Sequence, residues 1–310
     1  MKYRELGKTG MKVSNVSFGA SSLGGVFHSL KEETGIQAVH TAVDNGINLI
    51  DVSPYYGHYK AEQVLGKALK EIERSRYYLS TKVGRYGKDG VNTWDYSGER
   101  ARQSVYESME RLNVDHIDLI NVHDIEFADL EQVINETLPA LVALREEGVV
   151  SHVGITNLTL RHFKYVIDHV PAGTVESVLS FCHYTLNDDA LADYLDYFEE
   201  RGIGVINASP YSMGLLTQRG APDWHPAPAA LQRLARKAVD FCNSRGVEIE
   251  KLAMQFSAAN ERIASTLFST TNPDNVLKTI AYTNEPMDEE LVAEVRKILE
   301  PGYRDTWVNS

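Results

Sequence analysis

Eight short runs of β-branched and aliphatic residues alternate along this sequence with longer segments of helical periodicity. Most of the runs are continuously apolar, as expected for strands of a parallel sheet that is buried on both faces. Strands that alternate with helices in this way indicate repeated strand–helix–strand units. We therefore predict an α/β fold, a (β/α)8 TIM barrel, with parallel strands at residues 13–20, 48–53, 78–83, 117–123, 151–156, 177–181, 204–208 and 264–269.

The segments between these runs place apolar residues at a spacing close to 3.6. In residues 33–45, for example, Val39 and Val43 lie on one stripe, and Gly46 follows where a helix-ending glycine belongs. Ser97 and Asn187 each precede such a segment and are predicted to cap its N-terminus. The other helical segments are predicted at 61–72, 98–112, 130–147, 190–201 and 229–245.

The length of the chain, 310 residues, suits one barrel, because this fold needs roughly 250 residues or more. We therefore expect residues 1–310 to form a single domain. A short strand pair at 3–6 and 12–13 predicts a hairpin that closes the bottom of the barrel. An open flavodoxin-like or Rossmann sheet is the alternative fold, but no GxGxxG motif follows an early strand.

The acidic balance of the chain argues against several classes of partner. Its net charge of -12 and isoelectric point near 5.3 disfavour binding to nucleic acid or an anionic membrane, both of which need a basic face. The sequence contains no uninterrupted run of eighteen apolar residues, so it predicts no membrane span. The N-terminal segment is polar and lacks the apolar core of a secretory signal, so we expect a cytoplasmic protein.

The cysteines and histidines predict neither a disulfide framework nor a metal site. Cys182 and Cys242 are the only two cysteines and show no CxxC spacing, which suits a reducing compartment. The ten histidines show no HxH or HExxH spacing, so no metal is assigned. The expected partner is a small molecule.

Polar side chains stand at the ends of three consecutive predicted strands. Asp51 lies at the end of the second strand, and Tyr56 follows in the loop after it. Lys82 ends the third strand and His123 ends the fourth. Because the carboxyl ends of barrel strands form the catalytic rim, we expect a carboxylate, a phenol, an ammonium and an imidazole to meet there.

These four groups together suit hydride transfer between a nicotinamide and a carbonyl or alcohol. A phenol titrates near 10, and a neighbouring ammonium lowers its pKa towards a useful range. A carboxylate keeps the ammonium charged, and an imidazole orients the substrate oxygen. Taken singly, each residue has an ordinary structural explanation, as a turn cap, a solvated cation or a core side chain. Their joint placement favours the catalytic interpretation.

The sequence also contains the motifs LGKTGMKVSNVSFGA, DVSPYYG, STK and GITN. With these motifs it resembles the aldo-keto reductase superfamily along essentially the whole chain. The resemblance implies a catalytic tetrad of Asp51, Tyr56, Lys82 and His123, the same residues that the barrel rim indicates. The stretches HDIEF, CHY, ASPYSMGLLT and DWHPA look like those of family members that oxidise an aldose at C1.

The resemblance further implies a nicotinamide cofactor held by residues from four loops. Two positions depart from the common family pattern: Phe181 stands where many members have a glutamine, and Ala208 where many have a stacking tyrosine. Phe181 is expected to take over part of that stacking. The implied cofactor-binding residues are Asn157, Phe181, Ser209, Pro210, Tyr211, Met213, Gly214, Leu215, Ser269, Thr270, Thr271 and Asn275.

The adenosine end of this site predicts NAD rather than NADP. Family members that prefer NADP offer a lysine and an arginine to the 2′-phosphate, which needs charge-assisted partners. Ser269 and Asn275 stand at those positions here, and Asp274 adds a negative charge. Lys278 is the only cation nearby, and NADP binding through Lys278 is the alternative.

The expected reaction is oxidation of the anomeric carbon of an aldose such as L-galactose to its lactone. L-fucose, another aldose, an aldehyde or pyridoxal are alternative substrates, and a non-catalytic regulatory subunit of the same fold is an alternative of a different class. His183 is a further candidate for binding sugar hydroxyls. The substrate mouth is expected to include His58, Asp124 and Trp307, with Leu23, Phe27 and Tyr211 as further lining residues.

Overall fold

The chain begins with a short antiparallel hairpin of two strands, β1 (Tyr3–Glu5) and β2 (Lys12–Ser14). Leu6 and Met11, at the turn of this hairpin, pack with apolar side chains inside the barrel, including Leu119. The hairpin therefore closes the amino-terminal end of the barrel, as predicted. The computed structural model describes residues 1–25, 31–86, 94–305 and 307.

Eight parallel strands follow and close into a barrel. Each barrel strand pairs with the next one along the chain, and the last pairs with the first. This closure confirms the predicted (β/α)8 fold. The barrel strands are β3 (Val16–Gly19), β4 (Leu49–Asp51), β5 (Tyr78–Val83), β6 (Ile117–Val122), β7 (Val150–Asn157), β8 (Ser177–Phe181), β9 (Gly204–Ala208) and β10 (Ser265–Ser269).

The α-helices of the described residues surround the barrel and bury their apolar stripes against its strands. Each fully buried leucine or valine side chain contributes roughly 1.5–3 kcal/mol to folding. The helices are α1 (Glu32–Asp44), α2 (Lys60–Leu69), α3 (Gly98–Leu112), α4 (Leu130–Gln132), α5 (Leu138–Glu146), α6 (Leu160–Asp168), α7 (Leu195–Glu200), α8 (Ala229–Ser244), α9 (Ile249–Ala259), α10 (Pro273–Asn284) and α11 (Glu289–Leu299).

The first predicted strand, at 13–20, is wrong at its beginning. Val13 belongs to the hairpin, and the barrel strand begins only at Val16. The chain changes partner between them: the Asn15 N–H donates to the carbonyl of Lys2, and the Ser14 N–H donates to the side chain of Asn48. Two short strands with different partners thus lie within one apolar run.

Two helix boundaries also depend on local chemistry. The predicted helix at 130–147 contains a π-helical turn, Val133–Thr137, between α4 and α5. Pro139 has no N–H to donate to a carbonyl four residues earlier, which interrupts the α-helical hydrogen-bond pattern. Ser97 caps α3 by accepting from the Arg100 N–H, as predicted. Asn187 is not a cap, because its side chain bonds to Ser212.

The two ends of the barrel differ in what they expose. At the amino-terminal end, an open groove of about 720 Å³ lies between α2 and α3 and includes Arg74 and Asn113 in its lining. The polar strand-end residues that the sequence singled out lie at the opposite, carboxyl-terminal end. Among the described residues, no helix is long and apolar enough to cross a membrane.

Candidate active site

Lys82 is held between a carboxylate and a backbone carbonyl inside the barrel. Its Nζ donates to Oδ1 of Asp51 and, at 2.8 Å, to the carbonyl oxygen of Val52. Both charged side chains are buried, with only 1% and 3% of their surfaces exposed. Since an ammonium has three N–H donors, one N–H is left for a third neighbour.

That neighbour is Tyr56, whose ring centroid lies 5.0 Å from Lys82 Nζ. The loop that carries Tyr56 is pinned by Gly57, which has a φ of 62° and approaches Gly24 so closely that a Cβ would lie 2.1 Å from the Gly24 oxygen. The edge of the Tyr56 ring meets the ring of His123, with centroids 5.6 Å apart and planes at 87°. The structure thus brings the four strand-end side chains into one cluster.

The pKa of Tyr56 departs from the expected direction. Burial raises this pKa above its ordinary value of 10, although the ammonium of Lys82 acts in the opposite sense, and the charge of Asp51 raises it further. Burial alone would lower the pKa of Lys82, but Asp51 and Tyr56 raise it above its ordinary value. At neutral pH the protein therefore holds a protonated phenol beside a permanently charged ammonium.

His123 is buried and neutral. Burial, together with the charges of Lys82 and Arg85, holds its pKa well below the usual 6.5. Its Nδ1 lies 2.9 Å from Ser53 Oγ, and its Nε2 lies 3.5 Å from Asp124 Oδ2. Because a carboxylate only accepts, we assign the proton to Nε2, and the Ser53 hydroxyl then donates to Nδ1. The Nε2–H is the donor that this imidazole presents to the site.

Ser80 and Asn121 extend the cluster and were not predicted from the sequence. Ser80 Oγ donates to Asp51 Oδ2 at 2.7 Å and accepts from Asn121 Nδ2 at 3.0 Å. Gly154 leaves room for this amide, since a Cβ there would lie 2.3 Å from Asn121 Oδ1. Alternation along β5 places Ser80 on the same face as Lys82, two residues later, and that spacing is the signal that identifies it.

Arg85 was also not predicted from the sequence. It follows β5 in the loop on the carboxyl-terminal rim, three residues after Lys82, and its Nη1 donates to Asp124 Oδ2. The guanidinium lies over the rings of Tyr55 and Trp94, at 3.7 and 4.1 Å from their centroids. Its position in a loop directly after a barrel strand is the only sequence signal for it.

A cavity of about 220 Å³ lies where the adenosine end of a dinucleotide was expected. Four of the predicted cofactor residues line it: Tyr211, Ser269, Thr270 and Asn275. Burial raises the pKa of Tyr211 to about 12, so its phenol is neutral. The cavity also has acidic walls, which were not predicted, contributed by Glu248 and Glu250.

These acidic walls control the charge of the cavity. Lys278, the one cation that the sequence placed here, forms an ion pair with Glu248 at 2.6 Å. Glu250 Oε1 accepts from the Gln218 N–H, and its Oε2 is buried with no hydrogen-bond partner in the described part of the chain. Such an oxygen can accept from a hydroxyl or amine of a ligand and opposes a second anion. These residues fit the adenosine end of a nicotinamide dinucleotide.

Asn157 ends β7 and is fully buried. Its side chain accepts from the Glu126 N–H at 2.8 Å and donates to the Thr159 carbonyl at 2.8 Å. One N–H and one lone pair of this amide remain for a carboxamide. Phe181 and Ala208 lie opposite each other at the ends of β8 and β9, so an apolar surface replaces the expected glutamine and tyrosine.

The loop after β9 has an unusual backbone. Positive φ angles occur at Ser209, Ser212, Met213 and Gly214. His225 secures this loop: its Nε2 donates to the Ser212 carbonyl at 2.8 Å, while its Nδ1 accepts from the Ala227 N–H. The loop also carries the predicted cofactor residues Pro210 and Leu215, both buried, and Thr271 lies just before α10.

The predicted substrate residues lie in different surroundings. Asp124 contacts the cluster through His123, whereas His58 is exposed beside Tyr56 with a φ of 54°. Trp307 is buried, and its ring lies 5.0 Å from that of His225. His183 is buried and bonded to Asp188 at 3.0 Å, and Leu23 is buried in an apolar cluster. Phe27 lies outside the described residues.

A family model described as the Aldo/keto reductase family matches residues 15–300. The chain therefore belongs to the aldo-keto reductase family. As an aldo-keto reductase it is an oxidoreductase that works with a nicotinamide cofactor. Among the residues that the structure describes, no group of three or more histidine, cysteine, aspartate or glutamate side chains could hold a metal ion.

Similar proteins include enzymes named for the oxidation of sugars. L-galactose dehydrogenase of Arabidopsis thaliana is 47% identical to this aldo-keto reductase and covers 99% of this chain and 97% of its own. D-arabinose 1-dehydrogenase of Saccharomyces cerevisiae is 32% identical, over 70% of this chain and 66% of its own. The aldo-keto reductase AKR11C1 from Bacillus halodurans, solved in its holo form, has a TM-score of 0.80 at 25% identity, covering 100% and 99% of the two chains.

Proposed function

We propose that this aldo-keto reductase is an NAD-dependent aldose 1-dehydrogenase, oxidising C1 of a free sugar such as L-galactose to the lactone. The observation that carries the proposal is the buried Asp51–Lys82 pair beside Tyr56. The similarity to an L-galactose dehydrogenase at 47% identity supports the choice of an aldose. In this proposal residues 1–310 act as one cytoplasmic domain, and free, buried Cys182 and Cys242 fit a reducing compartment.

In the proposed reaction Tyr56 accepts the proton of the anomeric hydroxyl. Bound nicotinamide supplies the hydride acceptor. Lys82 stabilises the phenolate that must form, and Asp51 keeps the ammonium charged and oriented through its short hydrogen bond. In the reverse direction the protonated Tyr56 returns the proton to the carbonyl oxygen. The raised pKa of Tyr56 makes the phenolate scarce at neutral pH, so oxidation should be favoured by alkaline conditions.

His123 acts in this proposal as a neutral hydrogen-bond donor. Its lowered pKa means that the imidazole neither gains a charge nor competes for the proton that Tyr56 handles. The Nε2–H orients the substrate oxygen, because the hydrogen bond from the Ser53 hydroxyl to Nδ1 fixes the position of the ring. Asp124, His58 and Trp307 are the proposed substrate-binding residues.

We propose NAD rather than NADP because the cavity for the adenosine end is acidic. Lys278 is already paired with Glu248, and the free Oε2 of Glu250 is suited to accept a hydrogen bond from a ribose hydroxyl or an adenine amine. A 2′-phosphate would meet these carboxylates, and the one cation among the described residues that line the cavity, Lys278, is already engaged. In this proposal Asn157 and Phe181 bind the nicotinamide end of the cofactor.

Steady-state assays with purified protein test this function. NAD and NADP are each combined with L-galactose, L-fucose, D-arabinose, simple aldehydes and pyridoxal. We expect the highest kcat/KM with NAD and an aldose, and we expect Tyr56→Phe to abolish turnover while NAD still binds by calorimetry. Preference for an aldehyde or pyridoxal would overturn the substrate assignment. A lack of turnover with every combination would favour a regulatory subunit that binds the cofactor without catalysis.

A further inference from the structure

Arg85 and Asp124 form a charged pair enclosed by aromatic rings at the edge of the tetrad. The pair is mostly buried, with 11% and 9% of the two side chains exposed. Tyr55 and Trp94 lie against the guanidinium, and the ring of Phe127 follows at 4.9 Å. The rings cover most of the pair and leave a small part of it exposed, so its hydrogen bonds are stronger than they would be on an open surface.

The backbone of Asp124 is held in a conformation that is uncommon for residues other than glycine. Its φ is 44° and its ψ is 66°, in the left-handed region. Thr156 Oγ1 accepts from the Asp124 N–H at 2.9 Å and donates to Oδ1 at 3.0 Å. The Tyr96 hydroxyl donates to the His123 carbonyl at 2.7 Å and lies 3.1 Å from the Asp124 carbonyl. Strain that neighbouring side chains maintain in this way is concentrated at functional sites.

The position of this pair relative to His123 determines what it can contact. Asp124 Oδ2 lies 3.5 Å from His123 Nε2, the atom that binds the substrate oxygen in the proposed function. In an aldose the oxygen on C2 is separated from the C1 oxygen by only three bonds, so it lies within hydrogen-bond distance of it. When the C1 oxygen is on His123, a hydroxyl on C2 is therefore within reach of the Asp124 carboxylate, to which Arg85 is bonded.

We propose that Arg85 and Asp124 together bind the 2-hydroxyl of the substrate and select sugars that carry it. The carboxylate accepts a hydrogen bond from the hydroxyl, and the guanidinium donates a hydrogen bond to the hydroxyl oxygen. Because the two charges neutralise each other, the pair suits a neutral polyol and not an anionic sugar. This inference rests on the proposed oxidation at C1.

The test compares L-galactose with 2-deoxy-L-galactose, and uses L-fucose, which lacks a remote hydroxyl, as the control substrate. With NAD and the native enzyme, we expect kcat/KM to be about 100-fold lower, or lower still, for the 2-deoxy sugar. Without the 2-hydroxyl, the buried polar groups of the pair lose a hydrogen-bond partner. For L-fucose, kcat/KM should be reduced much less relative to L-galactose. If 2-deoxy-L-galactose is oxidised as well as L-galactose, the inference is wrong while oxidation at C1 stands.

Variants assign the effect to the pair. Asp124→Asn and Arg85→Met should lower kcat/KM for L-galactose much more than kcat/KM for 2-deoxy-L-galactose, so that the ratio of the two values falls towards one. Arg85→Lys, which keeps the charge, should be intermediate. Arg74→Met is the matched control, since Arg74 also pairs with an aspartate and lies over a tyrosine ring, far away at the bottom of the barrel.

Two further results would overturn the inference. An equal loss on both sugars in Asp124→Asn and Arg85→Met would mean that the pair merely supports His123. A failure of the native enzyme to oxidise any aldose would remove the proposed function itself, and this inference with it. The two failures are distinguishable, because the first leaves the turnover of L-galactose by the native enzyme intact.

Discussion

The Nζ of Lys82 lies 5.0 Å from the ring centre of Tyr56, at the end of a buried chain of hydrogen bonds that runs from Asn121 through Ser80 and Asp51. The chain fixes the ammonium without help from solvent. It also brings a negative charge close to a phenol that must ionise. The reactivity of Tyr56 therefore reflects a balance between one cation, one anion and burial.

This balance predicts a pH dependence. Because the pKa of Tyr56 is raised above 10, the phenolate fraction grows with pH over the whole range from 7 to 10, and kcat/KM for oxidation should rise with it. Lys82→Met removes the stabilising charge and should lower kcat by roughly 10²–10⁴-fold. Initial rates measured from pH 6 to 10.5 test this, with Lys82→Arg as the charge-retaining control. A flat profile in the native enzyme would exclude Tyr56 as the base.

Ser80 should act as a positioning residue. Ser80→Ala removes a hydrogen bond to a buried carboxylate, worth about 1.5–3 kcal/mol. If that loss is expressed in the transition state, kcat falls roughly 10–100-fold. The variant should also shift the alkaline limb of the pH profile, which a merely structural change would leave in place. Ser108→Ala, another buried serine, is the control and should retain native kinetics.

The acidic walls of the adenosine cavity should set the cofactor preference. Glu248→Gln frees Lys278 from its ion pair and should improve kcat/KM for NADP by about 10-fold, as expected for one new charge-assisted contact. The activity with NAD should change little. The matched control is Glu285→Gln, which breaks the surface pair with Lys251. A native preference for NADP would contradict the NAD assignment.

Stability should decline in mild acid. Burial lowers the pKa of both His123 and His225 relative to the unfolded chain, whose histidines titrate near 6.5. As pH falls below about 6.5, the unfolded state takes up these protons first, so the free energy of unfolding decreases by up to roughly 1.4 kcal/mol per pH unit for each histidine.

Thermal denaturation at pH 7.5, 6.5 and 5.5 measures this effect as a progressive decrease in Tm. His225→Gln, which can keep the donor to the Ser212 carbonyl, should flatten the dependence. It should also weaken NAD binding, since His225 secures the loop after β9. A Tm that increases on acidification would show that other groups dominate.

Local patterns in the sequence were sufficient for the architecture. The apolar runs mark eight strands, and parallel strands in a barrel must present their carboxyl ends on one rim, so Asp51, Tyr56, Lys82 and His123 could be grouped without coordinates. Errors arose where partners are distant in sequence. The predicted hairpin and the predicted first barrel strand overlap at Val13, because only the contacts of Asn15 and Ser14 reveal where the chain changes partner.

The sequence by itself determined which strands form and which side chains stand at their ends, because both follow from periodicity and chain order. Only the tertiary structure decided the state of those side chains. The raised pKa of Tyr56, the neutral His123 and the pairing of Arg85 with Asp124 depend on burial and on charges brought together from separate loops. Such effects act through space, and their strength depends on distances that chain order does not specify.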